Sequence, residues 1–324
     1  QWIDKLGEEM RTESYKVFAD QSEMLQHLDD MLLMQGEPFG GTSIYAQYRV
    51  FKLAKEQGMT VTLDGQGADE LLAGYSGYPG HRMLSIIETE GVRAAHKYAK
   101  RWAKAPGRSY KLAWMYLGRI ILPNKFYAWV RKKMGRSFMP AWLKTEVLKD
   151  GGVRFIEQRN PMQKCNKGTR VKEALATSLT HRGLSSLLRQ GDRNSMAFSI
   201  ESRVPFLSLP LAEFLLSLPE NYLVNNEGIT KHIFREAMRG IVPGEILDRK
   251  DKIGFATPES QWLMSMVDVI DAWIDSAPDI DFINKAEIKK EFQQVKNKLR
   301  PLDGRVWRWI NYLRWYQLVI AGQK

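Results

Sequence analysis

Five residues in one short stretch have the types and spacing to hold a charged ligand. They are Asp64, Gly65, Gly67, Asp69 and Glu70, within Asp64-Gly65-Gln66-Gly67-Ala68-Asp69-Glu70. Two glycines let a ligand approach the backbone closely, and free N–H groups at a helix start can hold an anion. Asp69 and Glu70 have the chemistry for Mg²⁺, a hard cation that prefers carboxylate and phosphate oxygens. The same pattern also fits a plain βα turn whose acids complement the helix dipole.

The elements that must position these residues can be read on either side. Thr60, Val61, Thr62 and Leu63 are rich in β-branched residues and run into glycine, which predicts a short buried strand ending in a tight turn. Residues 68–73 are good helix formers with both acids in the first turn. Upstream, Trp2, Ile3, Leu6 and Met10 fall at near-helical spacing, residues 15–18 read as a short strand, and residues 22–34 as an amphipathic helix. A Gly/Pro loop follows at residues 36–41. Thr42 or Ser43 can then cap a helix that runs to about Gln57 and is closed by Gly58.

The front end is therefore expected to run α, β, α, α, β, with a parallel sheet, right-handed crossovers and a ligand at the carboxyl ends of the strands. No strand is predicted beyond Met83. Helices are expected over residues 83–104, 110–134 with a break at Pro123, and 171–188 with a break at Gly183. Further helices are expected at 210–218, 231–239, 259–266, 267–276, 286–298 and 305–320. Residues 1–80 then form an α/β front end, and residues 81–324 a predominantly helical remainder.

Other candidate groups are sparse. The five histidines are scattered without metal-ligand spacing, and the one cysteine, Cys165, has no evident partner base. Arg249, Lys250 and Lys252 precede Gly254-Phe255, a set of cations that suits a polyphosphate but also reads as a solvated basic loop. Glu201 and Arg203 stand two apart, so in an extended segment they share a face. They fit either a local ion pair or a role at the site.

Composition narrows the class. A chain of 324 residues with 44% hydrophobic residues and ten tryptophans can bury a large core. No apolar run reaches the roughly 20 residues a membrane span needs. A single cysteine excludes an internal disulfide and fits a reducing, cytoplasmic setting. The net charge of +11 includes the run Arg131-Lys132-Lys133 and the basic residues 97–104, yet it is spread along the chain. It fits an enzyme handling anions better than a nucleic-acid module.

Three stretches carry a family resemblance. GQGADELLAGY, beginning at Gly65, resembles the GEGADELFGGY segment of the glutamine-dependent asparagine synthetases, in their C-terminal synthetase domain. Residues 192–207 (DRNSMAFSIESRVPFL) and 249–258 (RKDKIGFATP) fit the same family in the same order. The resemblance implies a truncated PP-loop sheet of the adenine-nucleotide α-hydrolase type, followed by a mostly helical C-terminal part. It implies ATP and Mg²⁺, and a reaction in which a carboxylate attacks the α-phosphate to give an acyl-adenylate that ammonia converts to an amide. The substrates implied are ATP, aspartate or another carboxylate, and ammonia from glutamine.

Carried over by position, Asp64, Gly65, Gln66 and Gly67 would cradle the adenylate. Asp69 would bind Mg²⁺ with Glu70 in support. Lys252, or failing it Lys250, would contact phosphate. Glu201 and Arg203 would line the cleft near nucleotide or acceptor. A homodimer is also in keeping with the family.

The chain departs from the family at several points. Gln66 stands where many members have glutamate, so it cannot act as a base but can orient ammonia or the acyl intermediate. Ser208 replaces a usual aspartate after Pro205-Phe206-Leu207. The SGGxDS pyrophosphate loop and the glutaminase domain with its leading cysteine would both lie upstream of Gln1. The chain is thus expected to be a segment of a longer protein and inactive alone. The alternatives are an adenylating amidotransferase for another acceptor, a synthetase-like binding module without activity, or an adenylating enzyme that acts on RNA.

Overall fold

The computed structural model describes residues 2–133, 140–155, 166–181, 183–249, 254, 257–300 and 302–323. The architecture is mostly helical α/β, with one two-stranded parallel sheet among the described residues. Strand β1 is Val61–Leu63 and strand β2 is Glu201–Arg203, in the register Val61↔Glu201, Thr62↔Ser202, Leu63↔Arg203.

This corrects two expectations. Residues 15–18 form no strand, and Phe18 is 86% exposed. The described front end therefore runs α, α, α, β. Conversely a strand does exist beyond Met83. Glu, Ser and Arg have little strand preference of their own, and β2 exists because β1 supplies its hydrogen bonds. Glu201 N–H donates to Thr60 O at 2.9 Å, and Asp64 N–H donates to Arg203 O at 2.7 Å.

The helices follow apolar periodicity closely. Expected helices appear at Gln21–Gln35, Ser43–Glu56, Val267–Ser276 and Lys285–Lys296. The expected 83–104 helix is two, Tyr78–Glu90 and Val92–Trp102, parted at Gly91 with φ +87°. Thr42 does not cap the helix it precedes. Its hydroxyl donates to Glu259 Oε2 at 3.0 Å, tying that helix start to the C-terminal half.

Two large apolar clusters make up most of the core. The first joins Leu28, Met31 and Tyr45 to Trp262, Ile274, Phe292, Trp307 and Ile310, so it draws on both ends of the chain. Trp307 and Asn311 of the Gly304–Trp315 helix also clamp the Gly/Pro loop. Trp307 Nε1 donates to Phe39 O at 3.0 Å, and Phe39 N–H donates to Asn311 Oδ1 at 2.8 Å. The second cluster packs Leu71, Leu72, Met83, Tyr98, Trp102, Leu117, Val171 and Val224. A small third one, Phe51, Ala54 and Ile200, lies beside the strands. The glycine loop runs from the strands to Leu71, at the join between these cores.

Candidate functional site

The loops after the two parallel strands meet. Gly67 has φ +88°, and a Cβ there would overlap the side chain of Leu207, which belongs to the turn Pro205–Leu207 after β2. Glycine is required on both counts: left-handed backbone and close approach. The loop thus packs Pro205-Phe206-Leu207 against the glycine segment.

Asp64 is half-buried at the strand end, where it accepts the backbone N–H groups of Gly65 and Gln66. Burial pushes its pKa up, and these bonds only partly offset the effect. Gln47 Nε2 also reaches Asp64 Oδ2 at 3.4 Å. Behind Gln47 stands a buried chain of amides. Asn194 Nδ2 donates to Gln47 Oε1 at 3.1 Å and to Ile44 O at 3.1 Å, while Gln35 Nε2 donates to Asn194 Oδ1 at 2.9 Å. Three helices are thereby locked to the carboxylate that begins the loop. Inside a core, such amides must be satisfied together.

Asp69 and Glu70 open the four-residue helix Ala68–Leu71 and part company. Asp69 Oδ1 pairs with Lys231 Nζ at 2.8 Å. A Cβ at Gly74 would overlap the Asp69 carboxylate and the Lys231 stem, so Gly74 leaves the pair its room. Lys231 is held by its own backbone, with φ +56° and N–H donating to Leu72 O at 3.0 Å. Glu70 is only 3% exposed and accepts the Tyr75 hydroxyl; burial and that bond drive the tyrosine pKa upward. Gln66 is half-buried, with no side-chain hydrogen bond among the described residues.

Beside this loop lies a cleft of about 1150 Å³. Asp69, Gly74, Tyr75 and Lys231 line one side, with Arg235 and Arg249 nearby and Arg101, Lys104 and Arg108 opposite. Lys250 and Lys252 lie outside the described residues, as do Phe255 and Cys165. The residues that bracket the two lysines, Arg249 and Gly254, both line the cleft.

Glu201 and Arg203 do not join the cleft lining, and neither do Asp64, Gly65, Gln66 and Gly67, which lie beside it. Glu201 and Arg203 form a local ion pair at 2.8 Å on the open face of β2, each about 60% exposed, beside exposed Val61 and Leu63 of β1. Arg203 holds the Glu201 carboxyl below its usual range.

Sequence reading missed Lys231, Arg235, Arg108 and Gln47, which reach the site by long-range packing, so spacing offers no signal for them. It did not single out Asn194, although that residue lies in the 192–207 stretch that carries the resemblance. Among the described residues no group of three or more His, Cys, Asp or Glu could hold a metal, and no helix is long and apolar enough to cross a membrane.

Fold and site together define a mostly helical α/β protein with a glycine loop at the carboxyl ends of parallel strands and a cation-lined cleft beside it. The Asparagine synthase family model matches residues 1–317, and the chain belongs to that family. It is 26% identical over 278 residues to asparagine synthetase [glutamine-hydrolyzing] 1 of Bacillus subtilis, covering 81% of this chain and 39% of that protein. It is 22% identical over 312 residues to a putative asparagine synthetase [glutamine-hydrolyzing] of Mycobacterium tuberculosis, covering 92% of this chain and 45% of that protein. The asparagine synthetase of Bos taurus is 33% identical over 93 residues, 27% of this chain and 17% of that protein. The chain spans less than half the length of the first two relatives.

Proposed function

We propose that this chain supplies the acceptor side of an ATP-dependent amidation, in which a carboxylate is activated as an acyl-adenylate and then converted to an amide by ammonia. The observation that carries the reading is the placement of the glycine loop. It sits at the carboxyl ends of β1 and β2, next to Asp69, Lys231 and a cationic cleft, in a chain of this family.

In this reading residues 64–67 cradle the adenylate by shape, Gly65 and Gly67 allowing it to approach the loop backbone closely. Asp64, fixed by Gln47 and the amides behind it, sets the loop conformation. Gln66 cannot take a proton at neutral pH, so it orients ammonia or the acyl group by hydrogen bonds. Lys231, Arg235 and Arg249, with Lys250 and Lys252, stabilise phosphate charge as it builds. Glu201 and Arg203 border the site from the open sheet face.

Mg²⁺ fits this donor set as a shared ligand of one carboxylate and the phosphates, since Asp69 alone lines the cleft while Glu70 supports it from behind. When bound it would neutralise phosphate charge. The segment carrying the SGGxDS loop would extend the sheet at β1, and a glutaminase domain would deliver ammonia. The names of the relatives give asparagine as their product, so aspartate is one acceptor to compare with other carboxylates.

The test is pyrophosphate release by the full-length protein across a panel of carboxylates. Release that depends on Mg²⁺, ATP and one acceptor supports the proposal. A folded protein that binds ATP but releases nothing with any acceptor favours a binding module instead.

A further inference from the structure

The cleft extends well past the glycine loop, to the turn between the helices Val92–Trp102 and Tyr110–Ile121. Arg108 on that turn lies over the Trp102 ring, with Cζ 5.1 Å from the centroid, and its Nη1 donates to Gly228 O at 3.0 Å. Gly228 has φ +76°, and a Cβ there would overlap the indole. The guanidinium is thereby held by an aromatic face on one side and a carbonyl at its edge.

Arg235 enters from the helix His232–Ala237. Its Nε donates to Thr230 O at 3.0 Å and its Nη1 to Arg249 O at 3.1 Å. Both arginines are half-buried. Burial lowers the pKa of each, and Arg108 adds to the lowering of Arg235. Neither has a carboxylate at ion-pair distance among the described residues; the nearby Asp248 is taken by Arg239 at 2.8 Å. The exposed Arg101 and Lys104 add charge to the cleft, and among its described lining residues only Asp69 and Glu227 are acidic.

Two half-buried cations with no carboxylate at ion-pair distance among the described residues, Arg235 being favoured only by Asp248 at longer range, are costly unless an anion joins them. Arg108 is also planar and pre-oriented, the arrangement that suits a bidentate oxyanion. Leu112 and Tyr116 give the same wall an apolar stretch. The cleft volume of about 1150 Å³ lies just above the usual range for small-molecule pockets, which leaves this wall room for an acceptor beside the nucleotide phosphates.

We propose that this wall is the acceptor subsite, and that it takes a carboxylate acceptor larger than aspartate with a second oxyanion at its non-reacting end, read by Arg108 with help from Arg101 and Lys104. The assignment rests on the adenylating reading above, in which the reacting carboxylate lies toward Asp69.

The experiment is calorimetric titration of the intact chain, without nucleotide, with four probes: glucuronic acid 1-phosphate, glucaric acid, glucuronic acid and aspartate. The expected result is that one doubly anionic sugar probe binds at least about tenfold more tightly than glucuronic acid, the worth of one charge-assisted hydrogen-bond pair, and more tightly than aspartate, whose second carboxylate is held only two carbons from its first. Whether the phosphate or the dicarboxylate wins identifies the second oxyanion. Arg108→Gln should abolish that advantage, and the exposed pair Arg101→Gln/Lys104→Gln should reduce it severalfold.

The proposal is overturned if aspartate binds as tightly as either doubly anionic probe, or if none of the probes saturates. It is equally overturned if Arg108→Gln, with an unchanged melting temperature, binds as wild type does. Should Arg108→Gln unfold, unchanged affinity in the exposed double variant overturns it. Because no ATP is present, failure here leaves acceptor-dependent pyrophosphate release untouched, and the converse also holds.

Discussion

Lys231 Nζ lies 2.8 Å from Asp69 Oδ1, so the carboxylate best placed for a divalent cation already holds a cation. Both side chains are less than one-third exposed. A metal and phosphate entering the cleft would let Lys231 turn from the carboxylate to a phosphate oxygen. Lys231 is thus suited to two anions in succession. Lys231→Gln is expected to cost the free chain about 1 kcal/mol or less, as partly exposed pairs do. It should weaken Mg·ATP binding by roughly tenfold, the worth of one charge-assisted contact. Urea unfolding and nucleotide titration on the same variant separate the two effects.

Gly67 tests whether the loops after β1 and β2 depend on one another. Gly67→Ala puts a Cβ on a left-handed backbone and against Leu207, and should cost about 1–3 kcal/mol. In the double variant with Leu207→Ala the steric part should be recovered and the backbone part should remain. Denaturation midpoints of the two single variants and the double one give the coupling directly.

Asn194 joins Gln35, Gln47 and the backbone of Ile44 in the core. Asn194→Ala leaves two buried amides short of partners, at about 1–3 kcal/mol for each group left unsatisfied. Because Gln47 also contacts Asp64, nucleotide affinity should fall with stability. Unchanged nucleotide binding in a destabilised variant would confine the amide chain to a structural role.

Asp64 predicts a pH signature. Its folded pKa is raised by burial above the unfolded value of about 3.9. The folded state therefore holds the proton more tightly, and this contribution to stability is complete below about pH 4 and lost as pH rises through the folded pKa. Asparagine cannot ionise. Asp64→Asn should therefore gain melting temperature relative to wild type as pH rises from about 4 to neutrality, then level off. Parallel melting curves across that range test the sign.

Much of this site was legible because its chemistry is local. The run from Thr60 to Glu70 is strand, glycine loop and helix start in sequence and in space, and the helices follow their apolar spacing. Strand β2 was not legible, since Glu-Ser-Arg has no strand character until β1 pairs with it. The partners of Asp64 and Asp69 escaped for the same reason: Gln47, Asn194 and Lys231 arrive by tertiary packing. The pairing of Glu201 with Arg203 was readable from their two-residue spacing, and the local ion pair is formed. Arg108 carried no signal at all, because its meaning depends on Trp102 and Gly228 packing against it.

The most direct test of the account is exchange of labelled pyrophosphate into ATP, run on the full-length protein with and without carboxylate acceptors. The account predicts exchange that needs both Mg²⁺ and an acceptor and is lost in Asp69→Asn. Exchange that ignores the acceptor, or survives Asp69→Asn undiminished, would contradict it.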